Sequence, residues 1–370
     1  MNLKDIANFR LASQQIAGTK FTSPKDIVTW MGAMQAQDFA MSKWAVGVRL
    51  PNSTEKMIEA ALDQGEIIRT HVLRPTWHLV SADDLRWMLE LTAPHIKAGM
   101  KSRNADLGLT DAILTKSLKL IEKTLRDGNH STREELIAVL NRANIDTNEN
   151  RASHIFMEAE LERLICSGAS KSGKQTFSLL DERVPATRSL SRDEALASLA
   201  KRYFTSHGPA TLDDFDWWSG LSIGDARRAL DMVKSDVASE VVEGRTYWFD
   251  RVNFKTKESA FLLPAFDEFI ISYKDRSATL TSERHKQAVS SNGVFYPAMV
   301  VNGATVGLWK RAVKKEKVVL ELGYFTKPQP SLQKLIETAS VRYGEFLGKN
   351  VEISSAAEMH GQSLLLHRVK

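Results

Sequence analysis

Two glutamines two residues apart, Gln35 and Gln37, are the side chains whose types and spacing best suit chemistry. A pair of neutral amides offers two carbonyl acceptors and two NH2 donors, which can hold a water molecule in one orientation. Residues i and i+2 do not share a face of a straight helix, but they do in extended backbone. The pair can converge if the preceding helix ends near Gly32–Met34 and the chain then extends. From spacing alone, two ordinary surface glutamines are the favoured alternative.

Other conventional signals for an enzyme are mostly absent. The sequence has no Gly-rich phosphate-binding loop and no G-x-S-x-G nucleophile elbow. The nine histidines show no metal-ligand spacing with carboxylates, so no metal site is predicted. His78 falls on an apolar strand pattern, where a structural role is the commoner one, and Cys166 is interpreted as inert packing at the end of an apolar helix. No metal, nucleotide or redox cofactor is implied.

The composition indicates a folded protein. Its 370 residues are 43% hydrophobic and 26% charged, which favours a large core and two or three domains. No run approaches the roughly 18 apolar residues of a membrane span. The first 15 residues read as an amphipathic helix rather than a signal peptide. A single cysteine excludes an internal disulfide. Together, the missing apolar run and the missing disulfide lead us to expect a soluble cytoplasmic protein that does not enter a membrane.

Basic residues are concentrated in the last third of the chain. The net charge of +5 comes from 50 Lys and Arg against 45 Asp and Glu, and residues 251–370 hold 18 basic and 11 acidic side chains. Five of the cations are clustered in the sequence: Lys310, Arg311, Lys314, Lys315 and Lys317. This cluster fits a solvated face and a phosphate-contacting patch equally well.

A helix start followed by a second helix and a strand pair occurs three times. The starts at Thr22–Val28, Ser131–Ile137 and Thr211–Phe215 each place a hydroxyl side chain three residues before an acidic one. The apolar spacing then changes from about 3.6 to about 2 residues. Helix, turn, helix and hairpin form the winged-helix pattern, in which the second helix enters a groove of DNA. A tandem scaffold that binds protein is the alternative.

The predicted fold class is therefore α+β. Three tandem winged-helix modules are expected at 1–100, 101–183 and 184–250, and a C-terminal mixed α/β segment at 251–370. That segment contains apolar runs interpreted as strands or buried stretches, a hairpin with an Asn-Gly turn, and a helix near its end. No low-complexity linker separates the parts, so a rigid assembly is expected.

Several segments resemble the winged-helix DNA glycosylases of the AlkZ and YcaQ type. They span nearly the whole chain in the family's order: Met34–Gln37, Arg69–Val80, Leu262–Phe269, Tyr273–Arg276, and Val301–Gly303 with Gly307–Arg311. The resemblance implies three winged-helix modules assembled into a C-shaped DNA-binding channel. Pro75 and Phe266 depart from the family's pattern, which would have glycine and tyrosine there.

The resemblance implies a monofunctional DNA glycosylase that excises alkylated purines, chiefly N7-alkylguanine; some relatives unhook interstrand crosslinks. The family's catalytic motif, in its Gln-x-Gln form, falls on Gln35 and Gln37. An N7-alkylguanine is already cationic and leaves without a strong general acid. A water aimed at C1′ and stabilisation of a cationic sugar are still needed. We expect the two glutamines to supply both, and no lysine Schiff base is indicated.

The expected partner is double-stranded DNA with alkylated bases, bound by a monomer through salt-sensitive phosphate contacts. The candidate contacts are Lys43, Arg69, Arg74, Lys174, Arg245, Lys274, Arg276, Lys310 and Arg311. The turn at Asn302 and Gly303, with its basic flank, is a candidate DNA wedge or groove probe, and a structural hairpin is the alternative.

Two other functions are compatible with these motifs. A non-catalytic winged-helix DNA-binding protein or transcriptional regulator would prefer one DNA sequence and release no base. A catalytically idle relative would bind damaged DNA without excising the base. In each case the protein is expected in the cytoplasm, associated with the nucleoid when DNA is bound.

Overall fold

The protein is described from a computed structural model covering residues 1–251 and 258–358. Residues 252–257 and 359–370 of the predicted C-terminal segment lie outside the described residues. The first part of the chain consists of α1 (Leu3–Ser13), α2 (Pro24–Met31), β1 (Ala33–Gln35), α3 (Phe39–Gly47), α4 (Glu55–Asp63), β2 (Ile67–His71), β3 (Trp77–Ser81) and α5 (Ala82–Asp106). Helix α1 is the predicted N-terminal helix, and α5 runs across the module boundary expected at residue 100.

The middle of the chain repeats the order of elements found from α2 to β3. The elements of the second unit are α6 (Asp111–Leu125), β4 (Ser131–Thr132), α7 (Arg133–Arg142), α8 (Arg151–Leu161), β5 (Ile165–Ser167) and β6 (Thr176–Leu179). A short helix, α9 (Leu180–Arg183), follows this unit. The third unit comprises α10 (Arg192–Ser206), α11 (Leu212–Ser219), α12 (Ile223–Val233), β7 (Ala238–Val242) and β8 (Arg245–Phe249).

The three units also share their strand pairing. The sheet orders are β1-β3-β2 and β4-β6-β5, so the first strand of each unit pairs with the last. In the third unit, β7 pairs with β8, and Ala210 forms a bridge to Trp248 on β8 where a first strand would lie. The three units therefore share one order of elements: helix, strand, helix, helix, strand and strand. In the third unit the first strand is reduced to one bridge.

The predicted helix starts coincide with capped helices. The Ser23 side chain accepts a hydrogen bond from the Asp26 N–H, and Pro24 occupies the first turn of α2. Thr211 and Asp214 form a capping box at α11. In the second unit the cap is Thr132, one residue later than expected; Ser131 and Thr132 both pair with β6, and the helix begins directly after them.

One local expectation is wrong, and at a second place the structure selects the buried stretch over the strand. A helix predicted over 150–167 ends at Leu161, and Cys166 lies on strand β5 rather than at a helix end. Residues 269–273, which the apolar run allowed as a strand, include most of a short helix. Both segments are buried, and a short apolar run does not distinguish a buried strand from a buried helix.

The C-terminal segment forms a five-stranded sheet with one long helix. Its elements are β9 (Ala260–Leu263), α13 (Glu268–Ile271), α14 (Ser282–Ala288), β10 (Ala298–Val301), β11 (Ala304–Val313), β12 (Lys317–Tyr324), α15 (Pro330–Leu347) and β13 (Asn350–Glu358). The order is β13-β12-β11-β10-β9, antiparallel except between β12 and β13. The predicted Asn-Gly hairpin is the β10–β11 turn, and the predicted final helix is α15.

Shared cores join these parts. One buried cluster combines the first unit with the C-terminal sheet, and Trp44 on α3 packs edge-on against Tyr343 at 5.1 Å between ring centroids. A second cluster combines α5 with the third unit, and a third lies within the second unit. Within the described ranges, no helix combines the length and apolar character that crossing a membrane requires.

Candidate active site

Strand β1 presents Gln35 as the sequence predicts. Helix α2 ends at Gly32, whose φ of 77° is favoured by glycine, and the chain then extends. Gln35 pairs with His78 on β3 in an antiparallel register. The two glutamines differ in depth, because Gln35 is only 5% exposed while Gln37 is exposed. The enclosed amide thus lies at the end of strand β1, and the open amide lies two residues later, where the backbone bends.

The backbone between the glutamines is fixed by two neighbouring residues. The N–H of Ala36 donates to the Trp77 carbonyl at 2.7 Å, and the Ala36 carbonyl accepts from Arg69 Nε and Nη2 at 3.1 and 2.9 Å. The side-chain carbonyl of Gln37 accepts from the Trp77 N–H at 3.4 Å. Arg69 packs over the Trp77 ring, 4.1 Å from its centroid. Arg69 therefore holds the glutamine segment.

The side chain of Gln35 is oriented by Arg74. Arg74 Nη2 donates to Gln35 Oε1 at 3.1 Å, which directs the Gln35 amide nitrogen away from the guanidinium. That nitrogen makes no hydrogen bond within residues 1–251 and 258–358, so it is a free donor. Burial lowers the pKa of Arg74, although the carboxylate of Glu268 acts in the opposite direction. A guanidinium remains charged at neutral pH.

A buried carboxylate, Glu268, supports Gln35 from behind. Its Oε1 accepts the Gln35 backbone N–H at 2.5 Å, and its Oε2 accepts from Trp218 Nε1 at 3.1 Å and from the Ser272 hydroxyl. Burial alone would raise the pKa of Glu268, but His207, with Nε2 at 3.7 Å, and Ser272 lower it to about 2. The carboxylate is therefore ionised at neutral pH, as expected for one that accepts several hydrogen bonds.

A buried ion pair fixes the chain just before Glu268. Arg49 binds both oxygens of Asp267 at 2.8 and 2.9 Å, and its Nη2 also donates to Gln14 Oε1 at 2.8 Å. Bidentate guanidinium–carboxylate pairs of this kind fix orientation as well as position. Gln14 directly follows α1, Arg49 follows α3 and Asp267 caps α13, so segments far apart in the sequence meet next to Glu268.

Helix α11 contributes two adjacent tryptophans in opposite environments. Trp218 is fully buried and bound to Glu268, whereas Trp217 is 40% exposed and donates its Nε1–H to the Ile271 carbonyl at 2.8 Å. The helix ends at Gly220, where a Cβ would lie 2.4 Å from the Leu73 carbonyl oxygen. Glycine at this position lets α11 approach the turn that carries Arg74.

Three of the predicted DNA contacts hold positions inside the protein. Arg69 and Arg74 bind the glutamine segment as described. The Lys43 ammonium is 8% exposed and lies 2.7 Å from carboxylate oxygens of both Glu55 and Glu59, so its charge is already neutralised within the chain. Internal hydrogen bonds and ion pairs compete with phosphate for these cations.

The remaining predicted cations are spread over the surface. Lys174 is exposed at the β5–β6 hairpin, Arg245 pairs with Asp275, and Lys274 Nζ lies 3.5 Å from Asp213. Arg276 is half-buried between Trp217 and Phe295, with its Cζ 5.4 and 5.0 Å from the two ring centroids. Burial lowers the pKa of Arg276 to about 10. Lys310 and Arg311 are half-buried on β11, where Arg311 binds the Tyr343 hydroxyl.

The Asn302–Gly303 turn packs against helix α1. A Cβ on Gly303 would lie 2.8 Å from the Ala7 Cβ, and Asn302 Oδ1 accepts from the Ser259 N–H at 2.9 Å. A turn held in this way has no free tip to insert between base pairs. The geometry favours the structural hairpin over the wedge.

The structure also locates His78 and Cys166, both of which the sequence analysis interpreted as structural residues. His78 is buried, and burial together with the nearby Arg74 lowers its pKa to about 3, so the ring is neutral, with Nδ1 2.9 Å from the Thr76 carbonyl oxygen. Cys166 is buried, and burial raises the pKa of its thiol to about 12. No group of three or more His, Cys, Asp or Glu suited to a metal ion occurs among the residues that the structure describes.

Sequence reasoning missed Trp217, Trp218 and a role for Glu268. Adjacent tryptophans directly after a capped helix start were the available signal for the first two. Glu268 lay within a quoted motif, but its contact with Gln35 spans 233 residues, and no local pattern reveals such a contact. We call Gln35, Arg74, Trp217, Trp218 and Glu268 the Gln35 cluster.

Comparisons with known proteins identify the fold and then the family. The solved DNA glycosylase AlkZ of Streptomyces sahachiroi superimposes with a TM-score of 0.79 at 21% identity, covering 95% of this chain and 99% of that chain. The interstrand DNA cross-link repair glycosylase of the same organism is 23% identical over 334 residues, covering 85% of this chain and 89% of that protein. A family model, DNA glycosylase AlkZ-like, matches residues 28–346. The chain belongs to the AlkZ-like DNA glycosylase family.

Proposed function

We propose that the protein is a monofunctional DNA glycosylase that hydrolyses the N-glycosidic bond of alkylated purines, with N7-alkylguanine as substrate. The observation that carries this proposal is that Arg69 and Trp77 fix the backbone between two neutral amides, one enclosed and one open to solvent. Family membership supports the reaction class. The similarity to an interstrand DNA cross-link repair glycosylase supports DNA damage as the substrate.

The chemistry suits neutral side chains. Alkylation at N7 makes guanine cationic, so the base departs as a neutral molecule and needs no protonation. What the protein must supply is an oriented water at C1′ and a polar environment that favours the cationic sugar. The amides of Gln35 and Gln37 supply donors and acceptors for the water, and the ionised Glu268 adds negative charge behind β1.

The two amides take different parts in this mechanism. Because Arg74 occupies one lone pair of Gln35 Oε1, Gln35 keeps its amide nitrogen and one remaining lone pair for the water. Gln37 is exposed, so its amide is the one that meets the sugar and the attacking water directly. A proton released from the water leaves to bulk solvent, and no covalent enzyme intermediate forms.

We propose that the three repeated units are winged-helix modules arranged as a C-shaped channel around duplex DNA, with a monomer as the functional unit. Exposed cations contact phosphates in this arrangement: Lys174 of the second unit, Arg245 of the third unit and Lys274 of the C-terminal segment. Such binding weakens steeply with salt, because each phosphate contact releases condensed counterions. A cytoplasmic protein that associates with the nucleoid follows from this role.

Crosslinked DNA is a second substrate of the same class. An interstrand crosslink through guanine N7 carries the same cationic base, so the same water attack releases one strand. The name of the curated relative supports this extension. Unhooking of a nitrogen-mustard crosslink, followed on a denaturing gel, tests it.

Base release from a duplex with a single N7-methylguanine tests the main proposal. Abasic product is revealed by mild alkaline cleavage under single-turnover conditions. We expect Gln37→Ala and Gln35→Ala to lower the rate by about 10²- to 10³-fold, as when one preorganised catalytic group is removed. Gln64→Ala, an exposed glutamine after α4, is the matched control.

Two outcomes would overturn this proposal. Wild-type rates in both glutamine variants, with DNA binding intact, would remove the pair from the mechanism. Absence of release by the wild type, together with binding to one preferred DNA sequence, would identify a non-catalytic regulator instead.

A further inference from the structure

Trp217 is an exposed indole held in a fixed position. Its Nε1–H donates to the Ile271 carbonyl at 2.8 Å, which restrains the ring, yet the side chain is 40% exposed. Its neighbour Trp218 is fully buried and already packs helix α11 against the core. A large apolar ring that is restrained and left in contact with solvent is typical of a binding surface.

The ring lies beside the candidate catalytic amide. Arg74 connects the two, because its Nη2 is 3.1 Å from Gln35 Oε1 and its Cζ is 5.9 Å from the Trp217 ring centroid. Gly220 sets this proximity by letting the end of α11 contact the Leu73–Arg74 turn. Trp217 thus borders the place where the proposed reaction occurs.

The neighbouring guanidiniums do not occupy the ring by close stacking. Arg276 Cζ is 5.4 Å and Arg74 Cζ is 5.9 Å from the Trp217 centroid, whereas Arg69 stacks on Trp77 at 4.1 Å. Both arginines are anchored elsewhere, Arg74 on Gln35 and Arg276 through its Nε on the Ile270 carbonyl at 3.0 Å. Both guanidiniums lie at the outer range of a cation–π contact with the ring, and 40% of the Trp217 side chain is still exposed to solvent.

We infer that Trp217 is the stacking residue for the alkylated purine whose glycosidic bond faces Gln35 and Gln37. The inference deepens the proposed function and rests on it. A nucleobase stacks on an indole face, and a cationic purine does so more strongly than a neutral one because the ring face is negative. Trp217 therefore gives preference to the N7-alkylated base over unmodified guanine.

Lesion preference in binding is the direct measurement. The probe is a duplex with one 2′-fluoro-N7-methylguanosine, whose glycosidic bond resists hydrolysis, compared with the same duplex without the methyl group. In Trp217→Leu, which keeps apolar bulk but has no aromatic face, we expect the affinity ratio between the two duplexes to fall by roughly 2- to 30-fold, the range of a cation–π interaction. Trp217→Phe keeps an aromatic face and should retain most of the ratio.

A matched control separates stacking from loss of a restraining hydrogen bond. Trp30 is half-buried, donates its Nε1–H to the Ser13 carbonyl at 2.7 Å and has the Lys20 ammonium 4.3 Å from its ring centroid. Trp30→Phe should leave the affinity ratio unchanged. Circular dichroism and urea unfolding of every variant establish that the fold is intact.

The outcomes distinguish this inference from the function on which it rests. If the wild type releases N7-methylguanine and Trp217→Leu keeps the wild-type affinity ratio, the stacking role is overturned and the glycosylase remains. If Trp217→Phe loses as much as Trp217→Leu, the indole N–H rather than the aromatic face matters, and the inference is also wrong. A wild type that neither releases the base nor prefers the methylated duplex overturns both.

Discussion

Gln35 and Gln37 are two residues apart but lie in contrasting surroundings. Gln35 is bound at its backbone N–H by Glu268 and at its side-chain carbonyl by Arg74, while Gln37 is exposed and makes one long hydrogen bond to the Trp77 N–H. The enclosed amide has a fixed orientation before DNA arrives. The open amide retains freedom to meet the substrate. In the proposed mechanism, Gln35 therefore sets the geometry of the site before the substrate binds, and Gln37 completes that geometry once the substrate is in place.

The largest expected effect comes from removing the support behind Gln35. Glu268→Ala would leave the Gln35 N–H and Trp218 Nε1–H buried without their acceptor. We expect the free energy of unfolding to fall by about 3–5 kcal/mol, as when one partner of a buried charged network is lost. Urea unfolding measures it, and Glu337→Ala on the exposed face of α15 should change it by less than about 0.5 kcal/mol. A near-wild-type Glu268→Ala would show that the carboxylate does not support β1.

The enclosed side of the pair should also make stability depend on pH. His78, opposite Gln35, has its pKa lowered from 6.5 to about 3 by burial and by Arg74. The unfolded chain therefore binds this proton more readily, and native stability is lost as the pH falls from about 6.5 toward 3. Between pH 7 and pH 5 the contribution of this one ring is about 2 kcal/mol. The lowered pKa of Glu268 adds its own loss only below about pH 4.5, its unperturbed value.

Urea unfolding of the wild type and of His78→Gln at the two pH values checks this expectation. The pH dependence should shrink in His78→Gln and stay as in the wild type in His95→Gln, which alters an exposed ring on α5. An unchanged pH dependence in His78→Gln would assign the effect to other groups.

Making the enclosed glutamine resemble the open one is a milder change. Arg74→Met removes the hydrogen bond to Gln35 Oε1 while keeping much of the side-chain volume. We expect the single-turnover rate of base release to fall by about ten-fold, since orientation rather than chemistry is lost. Affinity for unmodified duplex should change less than the rate. A loss confined to affinity would show that Arg74 contacts phosphate and does not orient Gln35.

The smallest effect is expected away from both glutamines. Lys174→Ala, in the second unit, should reduce the slope of log affinity against log salt by about 1 if the ammonium contacts a phosphate. Salt titrations of DNA binding measure this slope. The base-release rate at saturating protein should not change, and Lys43→Ala should leave the slope unaffected because Lys43 is paired internally. Equal slopes for wild type and Lys174→Ala would remove Lys174 from the interface.

Local rules in the sequence predicted much of the fold. Caps at Ser23 and Thr211 gave helix starts, Gly32 gave the change from helix to strand, and the Asn-Gly turn gave the β10–β11 hairpin. Each of these signals acts within a few residues. The site was predictable only in part, because the Gln35 cluster is assembled from four separate segments. Sequence spacing placed Gln35 in extended backbone, but it could not show that Arg74 orients it or that Glu268 supports it.

Charge was the least informative local signal. Lys43, Arg69 and Arg74 are cations in a candidate DNA-binding protein, but each has an internal partner that sequence does not reveal. The Asn302–Gly303 turn was recognised correctly as a hairpin, and its packing on α1 favours a structural role over a wedge. Contacts between distant parts of the sequence determine whether a polar or charged residue lies at the surface or inside the protein.

The 233 residues between Gln35 and Glu268 have a consequence for biosynthesis. A ribosome adds roughly 5–20 residues per second, so the glutamine strand emerges about 10–50 seconds before the carboxylate that supports it. When β1 emerges, the nascent chain still lacks Trp217, Trp218 and Glu268; the tryptophans follow first and Glu268 last, so the Gln35 cluster stays incomplete throughout this interval. Base-excising activity is therefore acquired late, when the C-terminal segment docks. Truncated translation products would carry the glutamine pair without its completed surroundings.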